Sequence, residues 1–197
     1  MDIIIMRIIA GELRGRVLKT GKVPGTRPTS DIVRESLFNI IAQAVPGARV
    51  LDLFAGFGGL GIEALSRGAV LAVFVERNRR CADVIRENLN NLNIVERSSV
   101  LLLDVFRAVE KLSRSGGRFD VIFIDAPYHK TPEIITVSPN QNLLQIIDNS
   151  DILEKDGLVV IEHFKKDRFE FFGRKLSFAK EKEYGDTCLT IFRHDKS

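Results

Sequence analysis

Cysteine is scarce in this chain: Cys81 and Cys188 are the two in 197 residues. They lie far apart, each in a segment of regular apolar pattern. That excludes a disulfide framework and fits buried or idle thiols in a reducing cytoplasm. Histidine is nearly as rare, and His129, His163 and His194 show no ligand spacing with the cysteines. No metal is expected. Long apolar runs are missing as well, since none reaches the roughly 18–20 residues of a membrane helix. Met1-Asp2-Ile3-Ile4-Ile5 is too short, and wrongly charged at its start, for a secretory signal. Repeats and low-complexity tracts are absent.

What is present suits one α/β unit with a small extension. Net charge is only +3, but it is unevenly placed. Residues 1–27 hold six bases (Arg7, Arg14, Arg16, Lys19, Lys22, Arg27) against Asp2 and Glu12, a net +4, which leaves the remainder at −1. A basic arm on a near-neutral body points to a polyanionic partner.

Met6 to Ala10 and Arg16 to Thr20 read as short strands around a Gly11–Gly15 turn, a β-hairpin. Gly21 to Pro28 is a loop. Thr29 or Ser30 caps a helix whose apolar face runs from Ile32 to Val45. From residue 48 the pattern alternates. Strands are expected at 49–53, 70–75, 99–103, 119–124 and 157–162, and helices follow the glycines at 60–65 and at 78–92, 105–112 and 141–153. Two final strands, 175–182 and 187–193, flank Tyr184-Gly185-Asp186 as an antiparallel pair. Alternating β and α segments imply a mostly parallel sheet covered on both faces, and such sheets bind ligands beyond the carboxyl ends of their strands. Asp52, Glu76, Asp104 and Asp125 all fall at those ends.

The organising stretch is Asp52-Leu53-Phe54-Ala55-Gly56-Phe57-Gly58-Gly59-Leu60-Gly61. An apolar strand ends in glycines, and a helix starts at once. Gly56, Gly58 and Gly61 fit the G-x-G-x-x-G turn that lets a ligand approach the main chain at a helix N-terminus. Asp52 decides between ligands, because a pyrophosphate has little use for a carboxylate there, whereas a ligand with an amine and a sulfonium does. Glu76, 20 residues after Gly56, can accept hydrogen bonds from both ribose hydroxyls. A nicotinamide oxidoreductase shares the glycines and Glu76 but not Asp52.

Asp52 to Gly58 resembles the first motif of S-adenosylmethionine (AdoMet) methyltransferases. That resemblance makes Asp52, Phe54, Ala55, Gly56, Gly58, Gly61, Glu76 and Arg77 the cofactor cradle, with Asp104 and the Val105 N–H on the adenine and Asp125 at the reacting end. Asp125-Ala126-Pro127-Tyr128 resembles the D-P-P-[YF] motif of amino-methyltransferases. A carboxylate and a carbonyl that both accept from an NH₂ group favour a pyramidal nitrogen aimed at the methyl, and Tyr128 offers a face for stacking an extruded base. Ala126 stands where Pro is usual, and Phe57 replaces a small polar residue, which is expected to crowd the methionine end of the cofactor.

The segments from Arg7 to Gly11, Arg27 to Asp31, Arg34-Glu35, Phe38-Asn39 and Asp52 to Ala69 are similar to the RsmD family of bacterial ribosomal RNA guanine-N2 methyltransferases. The resemblance covers nearly the whole chain. It implies a Rossmann-like fold with a seven-stranded mixed sheet, one strand antiparallel, helices on both faces and an N-terminal β-hairpin. Residues 1–28 would be the hairpin extension and 29–197 the methyltransferase domain. It further implies methylation of one guanine N2 in 16S ribosomal RNA on the small subunit, in the cytoplasm, by a monomer. Arg27, Pro28, Thr29 and Arg34 would border the active site, with Arg7, Arg14, Arg16 and Lys19 on phosphates. An adenine-N6 methyltransferase and a non-catalytic RNA-binding assembly factor are the rival readings.

Overall fold

A computed structural model describes residues 6–21, 30–126, 139–167 and 171–195. The described elements are β1 (Met6–Arg7), β2 (Val17–Leu18), α1 (Asp31–Ile40), β3 (Arg49–Leu53), α2 (Gly59–Ser66), β4 (Leu71–Val75), α3 (Arg79–Asn91), β5 (Ser98–Leu101), α4 (Val105–Arg114), β6 (Phe119–Asp125), α5 (Pro139–Asp148), β7 (Leu153–Phe164), β8 (Leu176–Tyr184) and β9 (Thr187–His194). The seven long strands form one sheet in the order β5-β4-β3-β6-β7-β9-β8. All its pairings are parallel except those of β9, which runs antiparallel to both β7 and β8. The expected seven-stranded mixed sheet is what the chain forms.

Alternation along the strands splits the core in two. Val50, Phe74, Phe123, Val160 and Ile191 point to one face, where they meet Leu37 and Phe38 of α1, Ile62 and Leu65 of α2, and Ile85 of α3. Leu51, Val75, Ile124, Ile161 and Phe192 point to the other, against Val109 of α4 and Leu144 of α5. Strands buried on both faces explain the unbroken apolar runs of β3 and β4. Strand order reverses between β3 and β6, so a crevice opens at the carboxyl ends of that pair.

Three boundaries differ from the sequence reading. The third parallel strand stops at Leu101, and Asp104 lies beyond it as the N-cap of α4, accepting from the Phe106 N–H at 3.0 Å. Helix α5 ends at Asp148, five residues early. The Asp148 carboxylate accepts from the backbone N–H groups of Arg174, Lys175 and Leu176 at 2.7–2.9 Å, tying the helix end to the start of β8. Strand β7 starts at Leu153 and passes Asp156 at φ 64° before its regular register. The caps of α1 and α3 are Ser30 and Asn78, each accepting from the first turn.

The hairpin is docked onto the body. Met6, Ile8 and Leu18 join the core of the α1–α3 face. The buried Glu63 of α2 accepts from the N–H groups of Ile9 and Ala10 at 2.8 and 3.0 Å, and Ser66 Oγ accepts from Leu13 N–H at 3.0 Å. Gly11, at φ +86°, lies so close that a Cβ there would sit 1.9 Å from the Ser66 carbonyl oxygen. On α3, buried Asn88 accepts from Lys19 N–H at 2.8 Å. Its amide donates to the carbonyls of Lys19 and Phe57 at 3.0 and 3.3 Å.

Candidate active site at the strand ends

Leaving β3, the backbone turns through Phe54 at φ 63°, Gly56 at φ 55° and Gly58 at φ 85°, and Gly58 is the N-cap of α2. Two of these left-handed positions carry the glycine that the geometry favours. The third is a phenylalanine, held against the β5–α4 face of the core. A side chain in that region costs roughly 1–2 kcal/mol and persists where the surroundings over-determine it. Gly61 serves a different end: a Cβ there would lie 2.3 Å from the Phe74 ring, so its absence lets α2 pack onto β4.

Carboxylates brace this turn through the backbone. Asp52, 1% exposed, accepts from the Gly61 N–H at 2.9 Å. Its burial pushes its pKa up to about 7; the Gly61 bond opposes that rise and neighbouring Glu76 adds to it. Glu76 accepts from Gly56 N–H at 3.0 Å with one oxygen and from Asn78 N–H at 2.7 Å with the other. It thereby staples the end of β4 to the glycine turn. Each Glu76 oxygen keeps a further lone pair, which suits a pair of hydroxyl donors.

Asp125 is the last residue of β6. It is half-buried and is followed by buried Ala126. Leu53 pairs with Ile124, so Asp125 stands level with Phe54 at the mouth of the crevice. Its partner across the parallel ladder is Glu162, two residues before the end of β7, which the sequence reading did not single out although it placed a strand end there. Exposed Asp104, buried Val105 and exposed Arg77 ring the same edge. Phe57 does not crowd the turn: its side chain is buried in the core with Leu60 and Ile85. Pro127 and Tyr128 lie outside the described residues.

Of the basic residues, Arg7, Arg14, Arg16 and Lys19 are exposed. Arg16 donates to the Asn91 carbonyl at 2.9 Å and Lys19 pairs with Glu87, so both lean on α3. Arg34 is placed differently. It is 1% exposed and donates to the Arg7 carbonyl at 2.5 Å and to Asp31 at 2.8 Å. Burial lowers its pKa, against the pull of Asp31 and Glu63. It therefore holds the hairpin strand beside the start of α2. Arg27, Pro28 and Thr29 lie outside the described residues.

The model of the family described as "Conserved hypothetical protein 95" matches residues 6–193. A protein of Escherichia coli (strain K12), "Ribosomal RNA small subunit methyltransferase D", is 29% identical over 96% of this chain and 90% of its own length. The chain belongs to the RsmD family. A relative in Bacillus subtilis (strain 168), "Putative rRNA methyltransferase YlbH", is 37% identical over 95% of this chain and 98% of its own. Among solved structures, "Putative methyltransferase yhhF from Escherichia coli" superposes with a TM-score of 0.81 at 27% identity, covering 98% of this chain and 99% of that one. The RsmD-family match takes in the docked hairpin as well as the glycine turn.

Proposed function

We propose that this chain is an AdoMet-dependent ribosomal RNA methyltransferase that acts on the exocyclic N2 of one guanine in 16S ribosomal RNA. The observation that carries the reading is the convergence at the β3–β6 switch point of a carboxylate-braced glycine turn with a half-buried Asp125, in a chain whose relatives are named for ribosomal RNA methylation. The residues present fit the cofactor. A buried carboxylate with a raised pKa gains from a cationic ligand, and Glu76 retains acceptor capacity for a ribose.

Asp52 and the turn from Phe54 to Gly61 would hold the methionine end, Glu76 and Arg77 the ribose, and Asp104 with the Val105 N–H the adenine. When bound, AdoMet supplies an electrophilic methyl. Asp125 and the Ala126 carbonyl accept the two N–H bonds of the target amine, which draws its lone pair out of the base and fixes its direction. As the methyl passed to the amine nitrogen, its bond to the sulfonium sulfur would break to leave the thioether S-adenosylhomocysteine, and the nitrogen would give up a proton toward Asp125. Much of the acceleration in such a site comes from positioning and from dipoles placed where charge develops. Pro127 restricts Ala126 to extended geometry, and Tyr128 supplies a stacking face for the guanine.

Residues 1–28 act as the RNA-engaging extension and 29–197 as the methyltransferase domain, working as a monomer in the cytoplasm on the assembled small subunit. Arg7, Arg14, Arg16 and Lys19 would neutralise phosphates, while Arg27, Pro28, Thr29 and Arg34 would shape the border between RNA and cofactor. The decisive test gives the protein methyl-labelled AdoMet with unmodified small subunits, naked 16S RNA or DNA, followed by digestion to nucleosides. Label in N2-methylguanosine from subunits is expected. Label in N6-methyladenine, or no label despite bound AdoMet, would overturn the assignment.

A further inference from the structure

Strand β7 passes the mouth of the crevice with Glu162 on the Asp125 side, so the next residue, His163, turns to the opposite face of the sheet. There its register partner on β9 is Cys188, and Cys188 in turn faces Glu183 of β8. Thr190 and Glu181, register partners one pleat further along, share this face. One His163 ring nitrogen, the Cys188 Sγ and a Glu181 carboxylate oxygen all lie within 4.8 Å of one another. His163 and Cys188 are buried, and Glu181 is exposed. Residues 25 positions apart in sequence, on antiparallel strands, thus become a compact N, S and O donor set. No ligand spacing announces it, which is why no metal is expected from the sequence.

Hydrogen bonds link the group. His163 Nδ1 is 3.0 Å from the Phe164 carbonyl, which can only accept, so Nδ1 carries a hydrogen. Thr190 Oγ1 donates its one hydrogen to the Glu181 carboxylate at 2.8 Å. Nε2 of His163 lies 2.8 Å from that same Oγ1. The Cys188 thiol is hydrogen-bonded to the same two side chains, Thr190 and Glu181. A ring N–H held by a backbone carbonyl while the other nitrogen faces a metal ion is the usual outer-shell support of a ligating histidine.

We propose that His163, Cys188 and Glu181 form a site for one divalent transition-metal ion of the Zn²⁺ class. An imidazole, a thiolate and a carboxylate suit such an ion, and with a neutral His163 the two anionic ligands balance its charge. Zinc bonds of about 2.0–2.3 Å require the donor atoms to close in on a common centre. Glu181, at the exposed end, provides both the moving ligand and the entry path. A metal here clips β8 and β9 onto β7, directly beneath the strand end that carries Glu162.

The test uses the full chain freed of metal by chelation and then titrated with Co²⁺. The expected result is one ion per chain with a thiolate-to-cobalt charge-transfer band in the near ultraviolet. Zn²⁺ should displace the cobalt and raise the melting temperature by several degrees. Cys188→Ser abolishes the band, whereas Cys81→Ser, at the other buried thiol, leaves it intact. Should Cys188→Ser fail to fold, Glu181→Gln at the exposed ligand carries the test, with affinity at least tenfold weaker. A wild-type chain with no band and no thermal shift, or a band that survives Cys188→Ser, overturns the site.

Discussion

Polar side chains around the glycine turn and those on the β7–β9–β8 face are held in different ways. In the parallel half, carboxylates bond to main-chain N–H groups: Asp52 to Gly61, Glu76 to Gly56 and Asn78, Asp104 to Phe106. In the antiparallel half, side chains bond to one another in a chain from His163 through Thr190 to Glu181. The first arrangement shapes a backbone and leaves acceptor capacity facing the crevice. The second ties side chains of three neighbouring strands to one another. Under the proposed function, the parallel half is a ligand cradle and the antiparallel half a brace.

The sharpest way to break that division is Asp125→Ala. Turnover should fall by about 10³-fold or more, the scale of a lost positioning and electrostatic group. AdoMet affinity, read by calorimetry, should stay within a few-fold. A matched loss of binding and turnover would make Asp125 part of the cradle alone.

Asp52→Asn gives the next largest effect, and it depends on pH. Between its ordinary value and about 7, folded Asp52 keeps a proton that the unfolded chain has released. Stability therefore falls as pH rises through that window, by on the order of 2–4 kcal/mol from this group. Urea unfolding at pH 5 and pH 8 should show a smaller difference for Asp52→Asn than for the wild type. A cationic ligand favours the ionised carboxylate, so wild-type AdoMet affinity should rise through about pH 7 while that of Asp52→Asn stays flat. Equal pH slopes in both proteins would remove Asp52 from the argument.

The smallest effect belongs to the other half. Thr190→Val keeps the shape but removes the hydroxyl that links His163 to Glu181, and about 1–2 kcal/mol of stability should go with it. AdoMet affinity and kcat should be unchanged. A tenfold drop in kcat would show that the brace reaches the chemistry.

How much of this was legible in the sequence follows the same division. The glycine turn, Asp52, Glu76 and Asp125 could be read because a strand, a turn and a helix are contiguous, and spacing alone fixes which groups share a strand end. Asp104 was placed at a strand end when it caps a helix, since Leu101, Leu102 and Leu103 hide where pairing stops. Glu162 was passed over because it precedes no turn motif. The group of His163, Cys188 and Glu181 was invisible, because strand register, not spacing, brings those residues together. Nor does anything in the sequence mark Phe54 as left-handed. The burial of Arg34 is likewise tertiary, set by a hairpin strand laid across it.

The anchoring of the hairpin also bears on the order in which the chain acquires structure. Two strands of two residues each cannot stand alone in water, and the donors at Ile9, Ala10, Leu13 and Lys19 find their acceptors 53 to 69 positions later. Contacts of that separation carry the entropy of closing a long loop and form late. Although it precedes α2 and α3 in the chain, the basic arm is completed only after those helices have formed. A half-folded chain therefore holds its positive charges on an unorganised tether, and the charged surface is assembled only on molecules that already own a finished glycine turn.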